Sequence, residues 1–397
     1  MAHDRRTFLT RTGKTMLAAF AALGLDDSLL TGPAAAHAQT GSPSTRTTDK
    51  AAANGSTALV IDTDPGVDDA SALVWLLSQR QYAYELLGIC TVAGNTSLEN
   101  ATRNVLTVLD TVAPTRNVPV LMGAEQPLNG ELSSIPKLIH GRDGLWGAQK
   151  PLPIRGVQKN VPAFYHRLSQ SRPGFTVVAL GPLTNLAQTL QRFPRTAEGI
   201  GRIVWLGGAK CGGNQTAVTE FNAWQDPEAA EIVLRSGIPI TMLPLDTFTD
   251  FAITPEEVNL LERSSNRGGR FLVQPLRGLL AAFDQLTGVE RANLPDVVAM
   301  MVALDPTLAT TQEALVKIIT DDCLARGQTI VGLSFIERLT LIATDAELSA
   351  IVDRYPNDMQ RVVNEFFAIY SREPANVAWV SAIDVDGVRD RFFRALT

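Results

Sequence analysis

The chain has 397 residues, a net charge of −6, 45% hydrophobic residues and 19% charged ones. That balance supplies a large core, and with no Lys/Arg-rich run it argues against a nucleic-acid binder or a membrane-surface protein. Its three cysteines, Cys90, Cys211 and Cys323, are odd in number and far apart, which argues against a disulfide framework or a zinc pattern and leaves reduced or buried thiols.

Asp4-Arg5-Arg6-Thr7-Phe8-Leu9-Thr10 opens a basic segment that also holds Arg11 and Lys14, and the modest apolar run Met16 to Leu25 follows. Ala36-His37-Ala38 offers an A-x-A cleavage site, so residues 1–38 read as an export signal and the mature chain starts near Gln39. The paired arginines before Thr-Phe-Leu resemble the twin-arginine signal, which exports proteins already folded and here implies a periplasmic destination. The apolar run is too short to span a bilayer. Residues 39–57, mostly Gly, Ser, Pro, Thr, Ala and Asn, read as a flexible linker, and 58–397 as one folded domain.

That domain opens on the apolar run Ala58-Leu59-Val60-Ile61, followed by Asp62-Thr63-Asp64-Pro65-Gly66-Val67-Asp68-Asp69-Ala70. An apolar run broken by Pro-Gly reads as a buried parallel strand, and Ala-Leu-Val-Trp-Leu-Leu after it as a helix. The alternation continues with a strand from Leu86 to Val92, a helix from Ser97 to Val112 and a strand from Val118 to Met122. Gly123 to Arg155 is a Gly- and Pro-rich stretch without clear periodicity, and a loop of that length is more often functional than idle. Helices at Asn160 to Gln170 and Leu183 to Arg192 alternate with strands at Phe175 to Leu180 and Arg202 to Leu206. A second long loop, Gly207 to Gln225, precedes a helix from Pro227 to Arg235 and a strand from Pro239 to Leu243. Pro255 to Gln312 reads as mainly helical, Ala314 to Ile319 and Thr329 to Phe335 as strands, and Met359 to Tyr370 and Val385 to Leu396 as closing helices. The pattern predicts an α/β domain with a mostly parallel central sheet flanked by helices, Rossmann-like in arrangement. Ligands bind such sheets at the carboxyl ends of the strands.

Four carboxylates, Asp62, Asp64, Asp68 and Asp69, therefore crowd one strand-to-helix turn. Asp68 and Asp69 can be read as caps facing the helix dipole, worth about 0.3–1 kcal/mol apiece. Asp62 and Asp64 have no helix to cap and repel one another unless a cation, a proton or donor groups compensate, and a hard divalent cation is the simplest compensation. Asn95, after Ala93-Gly94, is either a turn residue or a donor and acceptor that positions water or a hydroxyl beside the acids. His140, in His140-Gly141-Arg142-Asp143-Gly144-Leu145, is one of four histidines, with structural and catalytic readings both open. Leu180-Gly181-Pro182-Leu183-Thr184-Asn185 is either a plain helix entry or a turn whose strand-end carbonyls ligate a hard cation. Asp226 before Pro227 reads as an N-cap, whereas Glu220 and Asn222 precede the helix and remain free for a polyhydroxy ligand. Asp296 reads first as a cap.

Taken together, the acid motif, Ala93-Gly94-Asn95, Gly181-Pro182-Leu183-Thr184-Asn185-Leu186-Ala187, Gly207-Gly208-Ala209, Glu220-Phe221-Asn222, Asp226-Pro227-Glu228-Ala229-Ala230 and Arg326-Gly327-Gln328-Thr329 resemble the inosine-uridine-preferring nucleoside hydrolase family. The resemblance runs in the family's order from roughly Ala58 to Thr329. It implies a Ca²⁺ held by Asp64, Asp69, Asp296 and the backbone carbonyl of Leu180, with Asp296 also touching substrate. It further implies that Asp64 takes a proton from the water attacking the anomeric carbon. Asp68 would accept from the ribose 2′-hydroxyl, Asp62 would support the loop, Asn95 would orient water and sugar, and Asn214, Glu220 and Asn222 would hold the 3′- and 5′-hydroxyls. Carboxylates beneath a ring that develops positive charge suit such a reaction, and a cation with a nearby base suits water activation. A site that grips every ribose hydroxyl predicts ribosides over 2′-deoxyribosides. By analogy with relatives, a homodimer or homotetramer is implied.

One position departs from the family. Where inosine-uridine-preferring members carry a histidine before the acid that matches Asp296, this chain has Pro295, which donates no proton by side chain or backbone. Purine-preferring relatives also lack that histidine and stack an aromatic on the base, for which Trp224, Trp146 and Phe283 are candidates; His140 is a candidate for contact with the leaving group. The resulting expectation is a Ca²⁺-dependent ribonucleoside hydrolase that leans to purines. The alternatives are a nonenzymatic nucleoside- or ribose-binding protein and a hydrolase of another N-riboside. A haloacid-dehalogenase-like phosphatase start leaves the Glu-Phe-Asn block unexplained.

Overall fold

The computed structural model describes residues 56–397. The expected export signal, and the linker up to residue 55, lie outside the described residues. The described chain divides into two compact units: Gln312–Val316 with Val331–Ala375, and the described part of Thr47–Thr311 with Lys317–Ile330 and Asn376–Thr397.

The strands are β1 (Thr57–Thr63), β2 (Tyr84–Thr91), β3 (Val120–Met122), β4 (Gln158–Lys159), β5 (Phe175–Ala179), β6 (Ile200–Leu206), β7 (Ile240–Leu243), β8 (Ala252–Ile253), β9 (Ala292–Asn293), β10 (Ala309–Ile318), β11 (Thr329–Gly332) and β12 (Val377–Ile383). In the larger unit they lie in the order β12-β7-β6-β5-β1-β2-β3-β4, with neighbouring strands parallel. β8 and β9 form a separate antiparallel pair. The chain winds outward from β1 through β2, β3 and β4, then returns to β5 on the other side of β1. The winding reverses between β1 and β5, and the crevice at their carboxyl ends is where open α/β sheets bind ligands. Asp62 pairs with Ala179 of β5 and Cys90 of β2, so the acid motif begins where the ladder ends.

Two helices point their first turns at that crevice. The helix Val67–Ser78 buries Val67, Ala70, Leu73, Val74 and Trp75. The helix Pro295–Leu304 is apolar around its whole circumference, with Val297 through Ala303 buried, as expected for a helix enclosed by core. The two helices pack together. The smaller unit is helical over Phe335–Ile342, Asp345–Arg354 and Met359–Tyr370, with Leu339, Leu348, Val362, Phe366 and Ile369 forming its core. There the Arg338 guanidinium lies 4.1 Å over the Tyr370 ring.

The expected alternation is present, with most element ends moved by a residue or two; β10 starts five residues before the expected Ala314, and the strand expected from Thr329 to Phe335 ends at Gly332, because Phe335 opens a helix. Pro255 to Gln312 is mainly helical, as expected, but also contains β9 and the start of β10, while β8 lies just before it. These two-residue strands are too short to show a period. The long loop after β3 contains a one-turn helix, Pro136–His140, which ends at His140. β12 pairs with β7 through Ala378 and Trp379, a contact that no local pattern announces.

Candidate active site

Asp62 is fully enclosed. Its Oδ2 accepts from the Tyr165 hydroxyl at 2.8 Å and its Oδ1 from Asn185 Nδ2 at 3.0 Å. Burial raises its pKa to about 7 although both bonds favour the carboxylate. Asn185 also donates to the Thr91 carbonyl at 3.2 Å and accepts from Ala124 N at 2.8 Å, so one carboxamide ties the ends of β1, β2 and β3 together. Tyr165 and Asn185 were not among the residues singled out by sequence. Asn185 lies within the Gly-Pro-Leu-Thr-Asn motif, whereas Tyr165 lies on a helix with no local signal.

Asp64 is buried between two glycines: a β-carbon at Gly181 would lie 2.5 Å from its Oδ1. Oδ2 accepts from Asn95 N at 2.7 Å, and Oδ1 is buried without a partner. Burial, and then the charges of Asp69 and Asp68, push its pKa well above the carboxylate range. Asp69 accepts from Thr63 Oγ1 at 2.5 Å, from Gly66 N at 2.9 Å and from Asn95 Nδ2 at 3.1 Å. Its bond to Gly66 N is half of a capping arrangement, so the capping role considered for it is present beside its place in the cluster. Its pKa is raised to about 7, chiefly by burial and next by Asp68.

Carboxylate oxygens of Asp68, Asp69 and Asp296 lie within 4.8 Å of one another. Asp64 stands beside this triad, and Asp68, expected at the substrate, is inside it. Asp296 is no cap: its Oδ1 is buried and unpartnered, and burial followed by Asp68 and Asp69 pushes its pKa well above the usual range. His140 is buried against the same turn. Its Nδ1 accepts from Val67 N at 3.2 Å and lies 3.6 Å from Asp68 Oδ1. Burial lowers its pKa against the pull of Asp68. With Nδ1 accepting, the neutral ring carries its proton on Nε2.

Unpartnered oxygens on Asp64 and Asp296 beside two further carboxylates fit a hard divalent cation, which takes oxygen ligands and relieves their repulsion. The carbonyl of Leu180, at the end of β5, accepts from Asn222 Nδ2 at 2.8 Å and keeps a second lone pair. The same nitrogen donates to the Leu206 carbonyl at 3.0 Å. Both partners are acceptors, so the amide orientation is forced, and Asn222 Oδ1 is left buried without a partner.

Glu220 is not free, contrary to the sequence-based expectation. It caps the helix Phe221–Gln225: Oε1 accepts from Asn222 N at 2.9 Å, and Oε2 from Gly208 N at 2.8 Å and Ala223 N at 3.0 Å. A helix starting one residue after Glu220 explains the difference, because its unpaired N–H groups need an acceptor. Burial raises the Glu220 pKa to about 7 against those bonds. Asn222 precedes the helix Pro227–Leu234, as expected, but lies within the additional short helix Phe221–Gln225. Asn214 is exposed, and its Oδ1 accepts from Phe221 N at 2.9 Å. Trp146 spends its indole N–H on the Ile139 carbonyl at 2.9 Å, and a β-carbon at Gly278 would lie 2.2 Å from its ring. Phe283, like Trp146, packs against the core. Trp224 is half-buried, two residues beyond Asn222 and so about 200° round the helix from it. Asp226 is the N-cap expected of it, accepting from Ala229 N at 3.1 Å.

A family model described as "Inosine-uridine preferring nucleoside hydrolase" matches residues 59–390. Pyrimidine-specific ribonucleoside hydrolase RihA of Salmonella typhimurium is 36% identical over 299 residues, 75% of this chain and 94% of that protein. A solved plant nucleoside hydrolase, PpNRh1, is similar with a TM-score of 0.73 at 28% identity, over 86% of this chain and 99% of that one. The purine-preferring ribonucleoside hydrolase from Gardnerella vaginalis has a TM-score of 0.70 at 27% identity, over 86% and 98%.

Proposed function

The chain belongs to the inosine-uridine preferring nucleoside hydrolase family and is an N-glycosyl hydrolase of ribonucleosides, and from that premise we propose a Ca²⁺-dependent enzyme that leans to purine ribosides. The observation that carries the Ca²⁺ reading is the pair of unpartnered buried oxygens, Asp64 Oδ1 and Asp296 Oδ1, in a carboxylate cluster at the sheet's switch point. When bound, a hard divalent cation neutralises these acids and acidifies water.

The chain's own residues do the rest. Asp64 Oδ1 is the open lone-pair site that takes a proton from the attacking water, and Asn95 N holds the other oxygen still. The acids beneath the ribose stabilise the positive charge that builds on the ring as the N-glycosidic bond breaks. Asn222 Oδ1 is an open acceptor for a ribose hydroxyl, its nitrogen already committed to Leu180 and Leu206. Pro295 supplies no proton beside Asp296, which favours leaving groups whose own ring nitrogens accept one from solvent, as purines do. The Salmonella relative is described as pyrimidine-specific, so both base classes belong in the test.

That test is reducing-sugar release from inosine, guanosine, adenosine, uridine and cytidine, with and without a Ca²⁺ chelator, beside Asp64→Ala. Purine release that the chelator and the mutation both abolish supports the proposal. Release that survives the chelator overturns the cation, and faster uridine or cytidine turnover overturns the purine preference. We also infer export by the twin-arginine route from residues 1–38; retention of periplasmic protein in a host lacking that translocase would refute it.

A further inference from the structure

Asn104 lies on the helix Leu98–Val112, outside every motif of the family resemblance, and is fully buried. Its Nδ2 donates to the Pro65 carbonyl at 2.8 Å and to the Asp143 carbonyl at 2.8 Å, while its Oδ1 accepts from Gln149 Nε2 at 2.6 Å. With two carbonyls on one side and an amide on the other, only this orientation of the carboxamide satisfies every group.

The Pro65 carbonyl and the Gly66 N–H belong to a single planar peptide unit. The N–H end donates to Asp69 Oδ2 at 2.9 Å. Asn104 therefore holds one end of a rigid plate whose other end holds a carboxylate of the acid triad. Its second bond grips the loop after His140, whose Nδ1 receives Val67 N from the same acid turn. Gly144 lets the loop come this close: at φ +87°, a β-carbon there would lie 2.7 Å from Asn104 Nδ2 and 2.9 Å from the Pro65 carbonyl.

We propose that Asn104 is a positioning residue for the cation site, setting Asp69 through the Pro65–Gly66 peptide and locking the His140 loop against the acid turn. The proposal rests on the cation reading above. A neighbouring bond separates positioning from mere stability. Thr107 Oγ1 accepts from Lys150 N at 3.1 Å, so Thr107 clasps the same loop from the same helix without touching the acid turn.

The experiment is Ca²⁺ titration calorimetry on the folded protein, paired with thermal unfolding, for wild type, Asn104→Leu, Gly144→Ala and Thr107→Val. We expect Asn104→Leu and Gly144→Ala each to raise the Ca²⁺ Kd about tenfold or more, the loss common when a group behind a ligand is removed. Thr107→Val lowers the melting temperature and leaves the Kd within about twofold, because it removes no bond to the acid turn. If Asn104→Leu fails to fold, the Kd of Gly144→Ala decides. A wild-type protein that binds no Ca²⁺ overturns the cation reading and this role with it. Wild-type binding with an unchanged Kd in the folded variants overturns the positioning role alone.

Discussion

Gly94 leaves Asp64 no room to move: a β-carbon at Gly94 would stand 2.0 Å from Asp64 Oδ2. The adjacent Asn95 N–H holds that same oxygen at 2.7 Å, so the carboxylate is clasped by the turn that follows β2. Gly94→Ala must displace either the carboxylate or the turn. A shift near 1 Å in a reacting group costs about 100-fold, and we expect kcat/KM to fall by about that factor. Steady-state kinetics on a well-folded variant would refute this if kcat/KM stayed within threefold of wild type.

Tyr165→Phe deletes one of the two donors to buried Asp62 and adds no atom. An acceptor stranded in the core costs about 1–3 kcal/mol. Urea unfolding should show a loss in that range with an unchanged m-value. The effect on kcat should be smaller than that of Gly94→Ala, because Tyr165 acts at the strand rather than at the reacting atoms. A variant as stable as wild type would mean that the Tyr165–Asp62 bond carries no weight.

Metal-free protein should lose stability as pH rises. Asp62 and Asp69 are raised from 3.8 to about 7, and Glu220 from 4.5 to about 7. An acid harder to ionise when folded holds more protons in the native state, so its contribution is full below the unfolded pKa and is lost as pH climbs through the folded one. Between about pH 5 and pH 7 the unfolding free energy in chelator should therefore fall. Added Ca²⁺ should flatten that slope by binding the ionised acids. A chelated protein whose urea midpoint climbs over this interval would contradict the account.

Removing one hydroxyl from the substrate should cost far more than changing the base. Asp68, the acceptor expected for the 2′-hydroxyl, sits in the acid triad and would lose that partner with a 2′-deoxysugar. Sites built to hydrogen-bond a hydroxyl reject the analogue lacking it by about 10⁴-fold. Comparing inosine with 2′-deoxyinosine measures this directly, and a ratio below about tenfold would mean that the 2′-hydroxyl is not gripped.

The local sequence by itself determined the alternation of strands and helices, the acid-rich turn after β1 and the family. Each depends on neighbours in the chain: apolar runs of strand length, a Pro-Gly break, Asp before Pro. The place of Asp68 in the triad was not legible, because it depends on how the helix Val67–Ser78 meets the helix Pro295–Leu304 across more than two hundred residues of chain. The same holds for Glu220, whose free appearance ended once a helix began beside it and its carboxylate met the Gly208 N–H. Tyr165 and Asn104 carry no motif, and Asn185, although within one, shows no sign there of its bond to Asp62, since a buried hydrogen bond selects a residue by where its partner lies in space, not by its distance along the chain. Periodicity and turn chemistry are local and survive in one dimension. The enclosure that raises the carboxylate pKa values, and the donors that hold them, exist only once the strand ends and helix starts have packed together.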